Sequence, residues 1–165
     1  MKTAKALVLA AVLAASIGMS ASAETLYGAA AAREAANPTV EQMLTFAIQD
    51  EYLARAEYTL IMSKLNARQP FSNIKQAEEQ HIAWLEGLFT DYKLPVPVDE
   101  ARPGVPANLS AAYEAGVQAE LDNIAMYKSF LARDLPEDVR AIFERLEASS
   151  RNHLQAFSRN LARAW

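Results

Sequence analysis

The chain has 165 residues, of which 52% are hydrophobic and 22% charged, a composition typical of one globular domain that excludes a largely disordered protein. The formal net charge is −4, and no basic run exceeds two residues, which argues against nucleic acid as a partner. There is no cysteine, which excludes disulfides, thiol catalysis, zinc ribbons and iron–sulfur clusters. Any metal ion would need Glu, Asp, backbone oxygen or one of the two histidines.

Residues 1–23 have the pattern of a secretory signal peptide. Lys2 and Lys5 precede an apolar stretch at 6–19, and a small-x-small tripeptide ends at Ala23. The apolar stretch is shorter than the roughly 20 residues that a membrane span needs. The sequence therefore predicts cleavage after Ala23, a periplasmic or secreted protein, and no stable membrane insertion after cleavage. Residues 24–37 are rich in alanine and are interpreted as a linker.

Residues 38–165 are predicted to form four amphipathic helices. The first begins at a capping box of Thr39 and Gln42 and continues without Gly or Pro until Pro70. Ser72 and Ser110 are the predicted caps of the second and third helices.

The fourth predicted helix begins at Pro136, with Glu137 and Asp138 in its first turn, where a proline and acidic residues are favoured. No strand pair is predicted. The nearest candidate, residues 94–98, contains two prolines, which cannot donate to a strand ladder. The predicted fold class is therefore all-α.

The connections between the helices predict their order in space. The first and third connections are short, which favours two antiparallel hairpins. Residues 92–109, between the hairpins, contain four of the seven prolines. About 18 extended residues reach roughly 55–60 Å, which exceeds the roughly 36 Å length of a 24-residue helix. This segment can therefore cross the whole bundle, although its length also allows a simple up-down bundle with a flexible loop.

Each predicted helix has a polar residue on its otherwise apolar face: Glu51 on the first, Glu78 and His81 on the second, Glu120 on the third and His153 on the fourth. A buried carboxylate costs several kcal/mol unless it is neutralised, paired or bound to a metal. Carboxylates and imidazoles suit iron or manganese, and residues three apart on a helix share one face. Singly, each residue also fits a surface or satisfied core position. The coincidence of all four helices and both histidines favours a metal site.

These residues resemble the carboxylate-bridged di-metal proteins of the ferritin-like and rubrerythrin-like superfamily, where two helices supply one Glu and two supply Glu-x-x-His. A closer resemblance, to a bacterial exported branch catalogued as a domain of unknown function, spans about residues 39–162. It rests on these motifs: Glu51-Tyr52-Leu53-Ala54-Arg55 with Tyr58, Phe71-Ser72-Asn73-Ile74, Glu78-Glu79-Gln80-His81, Gly116 with Glu120, and Ser150-Arg151-Asn152-His153-Leu154 with Ala156-Phe157. The resemblance implies a ferritin-like four-helix bundle at 38–165.

The sequence departs from this pattern at Ser150, where a fourth Glu would precede His153 by three residues. Three carboxylates against two divalent cations leave one positive charge, so one metal ion, or a second completed by water or an anion, both fit. Glu147 could substitute for the missing carboxylate, although it lies about 60° from the direction of Ser150 around the helix.

The first connection also places a geometric demand on the site. Residues 67–71 must rise by roughly 13 Å along the bundle if Glu51 is to meet Glu78.

Two functions follow as hypotheses. The first is an exported protein that binds one or two iron ions, or manganese, with oxidation of iron(II) or reduction of peroxide as its chemistry if it is an enzyme. Tyr58 and Tyr127 are then candidate donors to the ligand carboxylates, and without cysteine a peroxidase would need an external reductant.

The second hypothesis is a non-enzymatic helical bundle, a periplasmic stress or interaction module with a metal-free buried polar network. It predicts thermal stability that is independent of metal and is lost below about pH 4, where paired carboxylates become protonated. The sequence leaves a homo-oligomer open.

Overall fold

The computed structural model describes residues 26–164, so the signal peptide predicted at residues 1–23 lies outside the described residues. The described residues form five helices and no strand, which confirms the all-α class: α1 (Ala29–Glu34), α2 (Val40–Leu65), α3 (Phe71–Asp91), α4 (Leu109–Leu131) and α5 (Glu137–Leu161). Helices α2 to α5 coincide with the four predicted helices. Helix α1 is additional and lies within the segment interpreted as a linker. Between residues 26 and 164, no helix is both long and apolar enough to cross a membrane.

The start of α2 is the capping box that the sequence predicts. The Gln42 amide donates to Thr39 Oγ1 at 3.2 Å, and the Thr39 amide donates to Gln42 Oε1 at 2.9 Å. Helix α5 likewise begins directly after Pro136, with both acidic residues in its first turn.

The predicted caps of α3 and α4 are wrong. Helix α3 begins at Phe71 without a side-chain cap, because the fully buried Phe71 ring already belongs to the helix and places Ser72 inside the first turn. Helix α4 is capped by Asn108, whose side chain accepts from the Ala111 amide at 2.9 Å. Asn caps as well as Ser, and the extended backbone that a cap requires falls at Asn108 instead of Ser110.

Helix α2 packs most extensively on α3, and α4 on α5, so the molecule contains two helical hairpins. Residues 92–108 connect them and lie along α2, where Arg55 pairs with Asp99 at 2.8 Å. Helix α4 then begins beside the start of α3, since the rings of Tyr113 and Phe71 stack with centroids 5.4 Å apart. The connection therefore returns the chain along the bundle before α4 begins.

The apolar core consists of two clusters, one toward each end of the bundle. The first contains large side chains of all four long helices, among them Ile48, Leu85, Tyr127 and Phe143. The second is aromatic and contains Tyr58, Phe71, Tyr113 and Phe157. Each fully buried large apolar side chain contributes about 1.5–3 kcal/mol. These contributions offset the cost of burying the polar residues that lie between the two clusters.

Helix α1 lies across α2 and α4 and so joins the two hairpins. Its first amide, that of Ala29, donates to Asp50 Oδ1 at 2.8 Å, and Arg33 approaches Asp122 of α4 at 3.5 Å. Burial under this helix raises the pKa of Asp50 to about 7. Gly28 precedes the helix with a φ of 57°, and a Cβ atom there would lie 2.6 Å from Asp50 Oδ1. Glycine is therefore needed at this contact.

Candidate metal centre

The structure brings all five predicted ligand residues together between the two apolar clusters. All are buried, and their exposed fractions are 1% for Glu51, 3% for Glu78, 4% for His81, 2% for Glu120 and 8% for His153. Each of the four long helices contributes at least one of them. The helical periodicity of the sequence predicts this convergence, because each residue lies on the same face as its apolar neighbours.

One set of three ligand atoms comes from His81, Glu78 and Glu51. The Nδ1 atom of His81 lies 2.7 Å from Glu78 Oε2 and 3.1 Å from Glu51 Oε2. One ligand atom from each residue of this set lies within 4.8 Å of the others, which is close enough for a single ion. We call this set the His81 group.

A second set surrounds His153. Its Nδ1 lies 3.2 Å from Glu78 Oε1 and 3.4 Å from Glu120 Oε1, again with the ligand atoms within 4.8 Å of one another. We call this set the His153 group. Glu78 belongs to both groups and presents a different oxygen to each, while the two imidazole rings stack with centroids 5.8 Å apart.

The connection between α2 and α3 is long enough to bring Glu51 and Glu78 to the same level of the bundle. Glu51 lies about 14 residues before the end of α2, and Glu78 about 7 residues after the start of α3. The difference corresponds to about 10 Å along the helix axis. Residues 66–70 span this distance, with Asn66 in the left-handed conformation at φ 51°.

Two buried tyrosines donate hydrogen bonds to the carboxylates, at the positions where the sequence places candidate donors. The Tyr127 hydroxyl donates to Glu51 Oε1 at 2.8 Å, and the Tyr58 hydroxyl donates to Glu120 Oε1 at 3.3 Å. Burial raises the pKa of both tyrosines well above the usual value, so they remain protonated donors. These bonds hold the orientation of one carboxylate in each group.

Ser149 is a contact of the site that was not among the predicted residues, and its Oγ lies 3.2 Å from Nε2 of His153. This contact holds the imidazole with Nδ1 directed toward the carboxylates. Its sequence signal is the spacing of four residues between Ser149 and His153 on one helix.

Ser150, where the resemblance implies a fourth carboxylate, does not belong to either ligand group. It is buried, and its hydroxyl donates to the Leu146 carbonyl at 3.1 Å. Glu147 pairs with Arg151 at 2.6 Å on the side of α5 and belongs to neither group. The donor set therefore consists of three carboxylates and two imidazoles.

The pKa values of the five residues shift in different directions. Desolvation raises the pKa of Glu51 and of Glu120. Desolvation also acts on Glu78, but hydrogen bonds from both imidazoles outweigh it and lower its pKa to about 2. Burial disfavours charged imidazoles, yet contacts with the carboxylates raise the pKa of His81 to about 9 and that of His153 to about 10. Positive charge at the two Nδ1 positions is thus strongly favoured, by a proton or by a metal ion.

The donor set fits a transition-metal ion. Carboxylate oxygens with imidazole nitrogens suit iron, manganese or zinc, and the chain has no cysteine that could supply a thiolate ligand. Glu120 Oε2 is moreover buried without a hydrogen-bond partner among the described residues. A free carboxylate oxygen at such a position is satisfied by a cation.

No family model matches this chain. An uncharacterized protein, MJ0754 of Methanocaldococcus jannaschii, is 29% identical over an alignment of 130 residues, and the match covers 68% of this chain and 70% of that protein. The crystal structure of hypothetical protein MJ0754 from Methanococcus jannaschii superposes with a TM-score of 0.69 at 27% sequence identity. That superposition covers 75% of this chain and 80% of the crystallised one, so the likeness extends to the arrangement of the helices.

Proposed function

We propose that this protein is a ferritin-like metal protein that binds iron in the core of its helical bundle. The observation that carries the proposal is the convergence of three carboxylates and two imidazoles from four helices, with Glu78 presenting one oxygen to each ligand group. A carboxylate shared in this way suits two ions held side by side. Manganese is the second choice for the same donors.

The topology supports the ferritin-like part of the proposal. The two helical hairpins are joined by a long Pro-rich connection that lies along α2, and the ligands come from facing helices. Bundles with one long crossover and inward Glu and Glu-x-x-His ligands are the arrangement used by ferritin-like proteins. In this proposal α1 is an addition to the four-helix bundle that covers the α2 and α4 side.

Bound iron would supply a redox couple and a binding position for an oxygen species. The chain's own residues then bind the ion, hold the carboxylates through Tyr58 and Tyr127, and exclude water from the buried site. Oxidation of iron(II) or reduction of peroxide is the matching chemistry. Without cysteine, electrons for peroxide reduction would come from an external reductant. We propose a periplasmic or secreted location for this activity, on the signal peptide pattern that the sequence has at residues 1–23.

A specific observation favours one alternative, a non-enzymatic bundle with a metal-free polar network. Nδ1 of each imidazole lies within 3.4 Å of two carboxylate oxygens, so protonated His81 and His153 neutralise two of the three carboxylates without any metal. Protonation of Glu51, whose pKa desolvation raises, completes neutrality. This alternative predicts that added iron does not change the melting temperature.

Metal analysis of the mature protein after anaerobic loading with iron(II) separates the two functions. We expect one or two tightly bound iron ions per chain and a higher melting temperature. The Glu78→Ala variant should lose the iron of both groups, and the His81→Ala variant should lose that of the His81 group. The control is Glu79→Ala, because Glu79 is an exposed neighbour of Glu78 outside both ligand groups and its variant should bind iron normally. Negligible iron in all four proteins would overturn the metal proposal.

A further inference from the structure

A cavity of about 280 Å³ lies between α1 and α4, outside both ligand groups. Its apolar wall consists of small side chains from both helices, with a buried proline and a buried methionine: Ala29, Ala32, Ala35, Pro38, Ala125 and Met126. Alanine side chains are too short to fill the space between two helices at the packing density of a protein interior. The cavity therefore follows from the alanine-rich sequence of α1.

Two arginines, one carboxylate and one serine complete the lining: Arg33, Arg133, Asp122 and Ser129. Arg33 approaches Asp122 at 3.5 Å, so these two charges offset each other. Arg133 takes part in none of the ion pairs among the described residues. The lining therefore carries one positive charge that no carboxylate of the cavity compensates.

The guanidinium of Arg133 is held in place and keeps free donors. Its Nη2 donates to the Ala36 carbonyl at 3.1 Å, and this guanidinium makes no other hydrogen bond among the described residues. A guanidinium has several N–H donors and no acceptor, so the donors that remain are available to a ligand. It can donate two parallel hydrogen bonds to a carboxylate, which an ammonium group cannot do. The chemistry of this position favours a carboxylate.

Volume and lining define the rest of the ligand. A water molecule occupies about 30 Å³ in the liquid, so the cavity has room for a ligand of about nine heavy atoms. The apolar wall favours a hydrocarbon body, because its burial removes apolar surface from water. Hexanoate is a carboxylate of this size with such a body.

We propose that the cavity between α1 and α4 binds a small monocarboxylate with an apolar body. Arg133 donates to the carboxylate, and the side chains of Ala32 and Met126, both buried, contact the hydrocarbon chain. None of the five residues of the ligand groups lines this cavity, so the inference does not depend on the proposed metal binding.

Amide NMR spectra of the isotope-labelled mature protein, titrated with hexanoate in the presence of EDTA, test this site. The EDTA prevents the carboxylate from binding to a metal ion. We expect saturable shifts at residues 29–38 and 122–133. Hexanamide has the same size without the charge, and it should bind about tenfold more weakly.

Two variants separate the charge from the cavity. Arg133→Gln should bind hexanoate about tenfold more weakly, because the charged donor is lost. Its control is Lys128→Gln, which removes the same charge from an exposed position of α4 outside the cavity and should bind hexanoate normally. Ala125→Leu should also bind hexanoate more weakly, because the longer side chain occupies part of the cavity.

Several outcomes would overturn the inference. One is the absence of saturable shifts, or shifts confined to other residues. Equal affinity for hexanoate and hexanamide would show that no carboxylate is recognised, and tighter binding of hexylammonium would show that Asp122 governs the site. Equal losses in Arg133→Gln and Lys128→Gln would leave only the net charge as the cause. If Arg133→Gln does not fold, Ala125→Leu and hexanamide decide. None of these results bears on iron binding, which metal analysis tests separately.

Discussion

The ring of Phe157 on α5 lies directly against Gly116 on α4, where a Cβ atom would come within 2.9 Å of three ring carbons. One helical turn away, Glu120 of α4 approaches His153 of α5 at 3.4 Å. The close contact at Gly116 therefore sets the separation of the two helices at the level of the His153 group.

Replacing Gly116 by alanine should destabilise the protein by about 1–2 kcal/mol. Alanine gains about 1 kcal/mol in helix propensity, but inserting a methyl group into a packed core costs up to about 3 kcal/mol. Phe157 cannot yield easily, because it is fully buried against Tyr58 and Phe71. Urea unfolding measures the difference. Gly87→Ala on α3 is the control and should gain up to about 1 kcal/mol, since a Cβ atom there meets nothing within 4 Å. Greater stability in Gly116→Ala would contradict the packing argument.

Removing single carboxylates should reveal the two ligand groups separately. Glu51→Gln should lose the ion of the His81 group and keep the other, and Glu120→Gln should do the reverse. Glu78→Gln should lose both, because this carboxylate belongs to both groups. Titration calorimetry with cobalt(II) gives the number of ions per chain. Equal stoichiometry in all three variants would show that Glu78 is not shared.

The metal-free protein should lose thermal stability as the pH rises. His81, with its pKa raised to about 9, and His153, with its pKa raised to about 10, stabilise the fold fully below pH 6.5. That contribution is lost as the pH rises through these values. Glu51, whose pKa is raised to about 8, acts in the same direction, because its charged form is the disfavoured one in the fold. We therefore expect the melting temperature to begin to fall above pH 4.5 through Glu51, and to fall further between pH 6.5 and 10 through the two histidines.

At acid pH the direction reverses for one group. The pKa of Glu78 is lowered to about 2, so its contribution to stability is lost as the pH falls from 4.5 toward 2.

Bound metal should counteract the loss of thermal stability at alkaline pH. The ion takes the place of the protons on the two imidazoles, and it binds more tightly as those protons leave. Melting curves at pH 6 and 8, with and without cobalt(II), should show a larger gain at pH 8. The double variant His81→Gln/His153→Gln should flatten the alkaline decline, and an unchanged decline would refute its assignment to these histidines.

Tyr127 should contribute more than Tyr58 to the stability of the fold and to metal affinity. Tyr127→Phe leaves a buried oxygen of Glu51 without its 2.8 Å donor, which should cost about 1–3 kcal/mol in the metal-free protein. Metal affinity should fall by about tenfold or more, because the carboxylate loses its orientation. Tyr58→Phe should cost less, since its bond to Glu120 is 3.3 Å long. Thermal unfolding and cobalt(II) titration measure both effects, and the reverse order of effects would contradict this geometry.

Most of the fold could be predicted from the helical periodicity of the sequence. An interval of 3.6 residues places Glu51, Glu78 and Glu120 on apolar faces before any tertiary contact is known, because that period follows from local backbone geometry. The capping box at Thr39 is equally local, so its prediction succeeded. The caps of α3 and α4 were mispredicted, since several neighbouring residues suit a cap. Helix α3 begins at the buried Phe71, and α4 begins after the extended backbone of Asn108.

Local sequence patterns were sufficient to predict helices with acidic and imidazole side chains on their apolar faces, because those properties depend on residues within a turn or two of one another. The tertiary structure was needed to show that Glu78 gives one oxygen to each imidazole and that Glu147 lies outside both ligand groups. These relationships depend on the register and spacing of separate helices. Distant contacts such as that between Gly116 and Phe157 set that register, and no local pattern encodes it.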